Sequence, residues 1–331
     1  MAAATHSSRH FLILPRHFVT TSSRRVRFGY SSPAVIREIG KLTPILPETT
    51  YPTGQLFIHR TFAYRGIVLC SFNCRHHEKK EGSSDKVVSM RDYYQVLIHK
   101  PDWPHMQFPV DLTSYLQDGS NRGEKYFANI NGMDCISHKD LIPFVSTELA
   151  PIEHDLFDKI FMRDKEDSSG RLVMRPNLRE NYMASQRSWM APRDVYREIT
   201  EGIEVTVTTF YLGVNLINGQ QRHMWRYTIR IENHVPQKPV ILRERTLKIY
   251  ALNNMNQANG HGVVGKQPEL NINSPAFQFS STIEMPHAKG CHMWGSFRME
   301  RDNGSTFNVT IPTIVLESQE ERNLEAGKMQ E

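Results

Sequence analysis

The chain has 331 residues, 39% hydrophobic and 23% charged, enough for about two domains with a substantial core. Four cysteines exclude a disulfide-stapled secreted scaffold, and no run reaches the roughly 18 apolar residues that a membrane-spanning helix needs. The net charge of +5 is local. Residues 1–37 hold six arginines (Arg9, Arg16, Arg24, Arg25, Arg27 and Arg37) and no acid, and the remainder carries 34 basic residues against 35 acidic ones. A near-neutral body lacks the broad basic footprint of a nucleic-acid binder, although net charge leaves local patches open.

Residues 1–50 read as a leader and linker. An Arg-rich, Ser/Thr-rich, acid-free segment has the composition of a mitochondrial transit peptide. Its apolar run Phe11–Leu14 stops at Pro15, too short for a secretory signal. Cleavage is expected between Arg27 and about Thr50, and three prolines mark Lys41–Thr53 as linker. The expected address is the mitochondrial matrix, with a nuclear pool if import is incomplete.

Residues 51–145 read as a first β domain. Leu56 and Ile58 alternate with Phe57 and His59, and Ile67–Leu69 follow Gly66, giving two strands. Tyr93–Ile98 is a third strand and Tyr126–Ile130 a short fourth, closed by an Asn131-Gly132 turn. The polar stretch Asn73–Ser89 reads as a long surface loop. Gly54-Gln55, His59, Tyr64–Val68, Tyr94–Leu97 and His138–Pro143 resemble the YccV-like family, also called hemimethylated-DNA-binding-like. That resemblance implies an SH3-like β-barrel. The family name implies DNA, but residues 51–160 hold 12 basic against 14 acidic side chains, and the link of bacterial relatives to protease substrate selection fits an adaptor better.

Residues 146–200 read as a short helical bridge. Ile152, Leu156 and Ile160, widened by Phe157 and Phe161, give a helical stripe over 147–161. Arg175–Arg187, with Pro176 in its first turn, and Pro192–Thr200 are further helix candidates. Trp189 and Met190 are candidates to plug an interdomain seam.

Residues 201–318 read as all-β, ahead of a polar tail over 319–331. Ile203, Val205 and Val207 alternate with polar residues, as do Trp225, Tyr227, Ile229 and Ile231. Further strands are expected at Val240–Ala251, Ala276–Glu284, His292–Glu300 and Thr306–Pro312, with a hairpin turn at Asp302–Ser305 and a last edge at Ile314 and Leu316. About seven strands at this spacing predict a β-sandwich. Arg226–Asn233, Gly260–Pro268, Phe277–Ser281, Gly290–Phe297 and Phe307–Pro312 resemble the ApaG domain in order, which implies a fibronectin-III-like sandwich. Leu247 and Ile314 stand where that family usually has aromatic residues. The whole chain is thus expected to be mainly β.

Three motifs suggest chemistry and fail on context. Gly260, Gly262 and Gly265 form G-x-G-x-x-G, but Gln267-Pro268 and a strand follow where a dinucleotide site needs a helix, so the glycines read as a structural loop. Cys70, Cys74, His76 and His77 lack a second ligand pair at finger spacing. His287, Cys291 and His292 lack an orienting group. No cofactor, metal, catalytic residue or membrane contact is expected.

The leading reading is therefore a non-enzymatic, monomeric adaptor that presents loops and sheet edges of two rigid β domains. Trp294 is a candidate partner contact, as are the arginine pairs Arg226 with Arg230 and Arg243 with Arg245, each pair sharing one strand face. The order of leader, YccV-like domain and ApaG domain resembles one family of interaction proteins. That resemblance implies as partners the small subunit of DNA polymerase delta, the sliding clamp PCNA and the unfoldase of the mitochondrial ClpXP protease. The same arginines support the alternative, a direct nucleic-acid-binding factor in replication or repair. A metal-resistance role, linked to ApaG domains in bacteria, lacks a clustered Asp/Glu/His constellation.

Overall fold

Alternating apolar residues make most of the chain into strands. The computed structural model describes residues 38–318 apart from 84, 120–123, 165–169, 179–186 and 252–253. The expected leader over 1–37 and tail over 319–331 lie outside the described residues. The first half contains β1 (Lys41–Leu42), β2 (Leu56–His59), β3 (Arg65–Lys79), β4 (Lys86–Ile98), β5 (Thr113–Asp118), β6 (Lys125–Ile130), β7 (Met133–Ser137) and β8 (Leu141–Val145). The bridge contributes β9 (Phe161–Arg163) and β10 (Leu172–Met174). The second half contains β11 (Asp194–Thr200), β12 (Ile203–Ile217), β13 (Gln220–Asn233), β14 (Val240–Ala251) and β15 (Asn254–His261). It ends with β16 (Glu269–Leu270), β17 (Ala276–Met285), β18 (Cys291–Arg301) and β19 (Thr306–Leu316).

One sheet runs through both halves. Its path is β1-β8-β2-β3-β11-β12-β13-β17, with β4 on β3 and β7 on β4. The join is parallel: Asp194–Glu198 of β11 align with Arg75–Lys79 of β3. The first-half strands therefore form an open sheet rather than a closed ladder. A second sheet, β15-β14-β18-β19 with β16 on β14, belongs to the sandwich. The largest apolar cluster draws Tyr64, Tyr94 and Val96 from the first half and Trp225, Ile229 and Phe297 from the second. A neighbouring cluster joins Ile67 and Leu97 to Phe210 and Met224. The described residues from Ile39 to Ser318 form one compact unit.

Three expectations are corrected. Asn73–Ser89 is not a surface loop but the far end of the β3–β4 hairpin, paired from Asn73↔Asp92 to Lys79↔Lys86. Its charges are tolerated in strands because they find partners across the join: Arg75 with Asp194 at 2.9 Å and Lys79 with Glu198 at 2.7 Å. Pro192–Thr200 is not helical, since Val195, Tyr196, Ile199 and Thr200 are strand formers and β11 is hydrogen-bonded on both edges. Over 147–161 only Phe157–Ile160 is helical. Pro151 cannot sit inside a helix, so Ile152 and Phe161 reach the core from irregular and extended chain instead. The expected helix over Arg175–Arg187 falls largely on 179–186, outside the described residues. A helical turn at Arg187–Met190 follows, with Trp189 and Met190 buried and the Met190 carbonyl accepting from Gln95 Nε2 at 2.8 Å.

Candidate functional site

The seam between the halves is built from buried charge. Arg230 on β13 donates to Asp140 Oδ2 at 2.9 Å, Thr61 Oγ1 at 2.8 Å and Glu232 Oε2 at 2.8 Å, with its guanidinium over the Phe62 ring. Ser137 Oγ donates to the same Asp140 oxygen at 2.6 Å. Burial alone would raise the Asp140 pKa, but Arg230 and the Ser137 hydroxyl hold it below the usual carboxylate range. Opposite Arg230 on β17, Gln278 Nε2 donates to Asp134 Oδ2 at 2.8 Å, an oxygen that also accepts from Tyr64 at 2.9 Å. Burial dominates at Asp134 and raises its pKa. Glu204 lies between Arg197 at 3.1 Å, His234 at 3.3 Å and Lys139 at 3.6 Å. Burial opposes its ionisation, and Arg197 and Lys139 overcome that and lower its pKa.

His59 lies in the same seam. Its Nδ1 accepts from the Thr61 and Phe62 backbone N–H groups at 3.1 and 3.2 Å, which leaves the proton on Nε2, a buried atom with no partner among the described residues. Burial lowers its pKa to about 3, so the ring is neutral at physiological pH. A cleft lined by His59, Lys139, Asp140, Arg197, Glu204 and Arg230 has a volume of ≈ 30 Å³, far below the roughly 300–1,000 Å³ of a small-molecule site. Among the described residues, no group of three or more His, Cys, Asp or Glu is arranged to hold a metal.

The residues singled out from sequence divide between interior and surface. Arg226 and Arg230 do share one face of β13, but that face is turned onto the first half. Arg226 is fully buried, donates from Nη1 to the Ser114 carbonyl at 2.9 Å and stacks over Phe210; burial lowers its pKa to about 10. As partner or nucleic-acid contacts these two are corrected: they bind the molecule to itself. Arg243 is half-exposed but engaged by Glu300 at 2.8 Å and Gln267 at 2.7 Å. Arg245 is half-buried, and its Nε is enclosed. Trp294 is half-buried opposite Lys248 of β14, while the neighbouring Met293 is buried. In the glycine motif, Val263 and Lys266 exchange both backbone hydrogen bonds around a two-residue turn, with φ of 43° at Val264 and 74° at Gly265. Gly262 has φ 62°, and a side chain there would run into the Lys266 carbonyl. Cys70, Cys74 and His76 are buried along one face of β3, while His77 points to the other and binds Asp194 at 3.0 Å. Buried Cys291 has its thiol pKa raised by burial.

Two surfaces went unread in the sequence. The β5–β6 hairpin exposes Tyr126 and Phe127. It is tied to β12 by Asn215, whose amide exchanges two 2.9 Å hydrogen bonds with the Lys125 backbone. The β4 segment beyond the β7 ladder exposes Val87, Val88 and Met90. Adjacent exposed aromatics on a short hairpin were a legible signal; the exposed valines were hidden by the assignment of that stretch to a loop.

Comparison with known proteins places this architecture. The ApaG domain model matches residues 215–301. Human polymerase delta-interacting protein 2 is 36% identical over 318 residues, covering 90% of this chain and 85% of that protein. The chain belongs to the polymerase delta-interacting protein 2 family. The ApaG protein of Paramagnetospirillum magneticum is 34% identical over 128 residues, covering 39% of this chain and 97% of its own length. A solved structure of the ApaA protein of Bordetella pertussis is 27% identical, covering 35% of this chain and 94% of its own, with a TM-score of 0.31. In this polymerase delta-interacting protein 2 family member the ApaG part is not a free module: β11 pairs with β3 of the half that precedes it, and Arg230 of β13 is paired with Asp140.

Proposed function

We propose that this protein is a non-enzymatic adaptor that brings other proteins together in the mitochondrial matrix, with a second, nuclear pool. The observation that carries this reading is the fused sheet with its buried Arg230–Asp140 pair. It holds two β halves in one orientation, so that exposed groups on both have a fixed spacing. The seam cleft is too small for a substrate, whereas Tyr126 and Phe127 are the kind of aromatic anchors that dominate protein interfaces. The name of the human relative supports DNA polymerase delta as a nuclear partner, and the sliding clamp and the ClpXP unfoldase are the further candidates. The nucleic-acid alternative loses support because Arg226 and Arg230 face inward and Arg243 is paired.

The test is capture of partners from matrix and nuclear extracts on the full chain, beside a Tyr126→Ser/Phe127→Ser variant, with the leader-bearing protein imaged in cells. The adaptor reading expects an unfoldase or replication protein on the first bait, lost at least tenfold on the second, and mitochondrial imaging. Salt-sensitive binding of naked DNA at low ionic strength, with no protein captured, would replace it with the nucleic-acid reading.

A further inference from the structure

The far end of β4 is an uncovered sheet edge. Lys86–Asp92 pair with β3 on one side, and the ladder to β7 begins only at Tyr93. Among the described residues no strand lies on the other side. Over these seven residues the ladder has no bulge and the sequence no proline, two of the devices that blunt bare edges. Val87, Val88 and Met90 are 54%, 56% and 57% exposed.

We infer that this edge pairs antiparallel with the same edge of a second copy of the chain, about a two-fold axis through Ser89. The segment Lys86-Val-Val-Ser-Met-Arg-Asp92 complements itself in that register. Lys86 faces Asp92 of the second copy, Val87 faces Arg91, Val88 faces Met90, and Ser89 faces Ser89. Strand alternation puts Lys86, Val88, Met90 and Asp92 on one face. Two valines and two methionines then meet in an apolar patch, closed at each end by a lysine–aspartate pair. Lys86 has no ion pair among the described residues, and the Asp92 carboxylate accepts only from the neutral Thr50 and Asn73 side chains. Slipping the register by two residues, the smallest step that keeps each side chain on its face, loses both Lys86–Asp92 pairs and sets Lys86 against Met90 in one direction and Val88 against Asp92 in the other. The interface is isologous and closes at two copies. Seven residues a side fall well short of the roughly 1,200–2,000 Å² of a standard interface, so the dimer is reversible. This goes beyond the adaptor reading and does not depend on it.

The register gives a direct test on the full chain. Directly opposed residues have Cα atoms about 4.5–5.5 Å apart, within disulfide reach. Ser89→Cys should give a covalent dimer under copper–phenanthroline oxidation. Val87→Cys should not, because its counterpart lies four residues, roughly 13 Å, along the ladder. In sedimentation equilibrium, Lys86→Glu and Asp92→Lys should each weaken the dimer more than tenfold, and the double variant should regain it, with circular dichroism reporting that each variant folds. A monomeric mass for the unsubstituted chain at high micromolar concentration, or equal cross-linking at positions 87 and 89, would overturn the inference. Cross-linking of Ser89→Cys only to a different protein would overturn it too, in favour of an extended peptide at the same edge.

Discussion

The β3–β4 hairpin has two outer strand ends, both carrying charges, in opposite surroundings. Arg75–Lys79 of β3 are flanked by β4 and β11, and their charges are answered by Asp194 and Glu198. Lys86–Asp92 of β4 have β3 on one side only. Charge pairing across the join welds the two halves together. Polar strand residues become structural when a neighbouring strand brings opposite charges into register, and they stay surface when it does not. The same rule separates Arg226 and Arg230, sealed into the seam, from Arg243, which sits on the outer sheet beside Glu300.

The largest effect is expected at the seam. Arg230→Met should cost about 3–5 kcal/mol in urea unfolding, because it leaves the Asp140 carboxylate buried without its cation. Arg230→Met/Asp140→Leu should recover part of that loss. Unfolding no different from the parent would mean that the pair is solvated and the seam loose.

Acid probes the seam next. His59 and His76 are both buried with pKa values lowered to about 3 by burial, and both nitrogens of His76 lack partners among the described residues. The unfolded chain takes up these protons below about pH 6.5 and the folded protein does not. Their contribution is therefore fully present above that pH and falls as pH drops toward 3, by about 2 kcal/mol for each histidine at pH 5. Urea midpoints for the parent and His59→Gln between pH 7.5 and 5 should differ in slope. The depressed Asp140 and Glu204 pKa values add a further loss at lower pH, as those carboxylates are forced to protonate.

The sequence made the sandwich strands legible where alternation is unbroken, as over Trp225–Ile231. It hid β15, whose Asn-Met-Asn-Gln-Ala-Asn-Gly-His lies on a polar edge with no buried face to impose a period. It also hid β11, whose charged Arg197 and Glu198 find their partners, Glu204 and Lys79, on other strands. At the candidate site the arginines were recognised and their direction was not. The acids that receive Arg230 and Gln278 lie 90 and 144 positions away, a distance over which no local pattern speaks.

Two smaller effects sharpen the contrast between enclosed and open positions. Gly262→Ala should destabilise by about 1–3 kcal/mol, since positive φ and the Lys266 carbonyl both oppose a side chain, whereas Gly265→Ala meets open space and should cost less. Thermal melts of the two variants compare them directly. Arg243→Ala should leave the melting temperature close to that of the parent, because its ion pair with Glu300 is exposed and screened by solvent. A larger loss in the same melt would place Arg243 in a role like that of Arg230.

The two halves are one body joined through β3 and β11. Native-state hydrogen exchange on the full chain tests this most directly. The amides of Val195–Glu198 should open only with the same free energy as those of β13 and β17, in one global unfolding. Exchange of β11 through a lower-energy opening, while the sandwich and the first-half strands each stay protected, would show two hinged domains and contradict it.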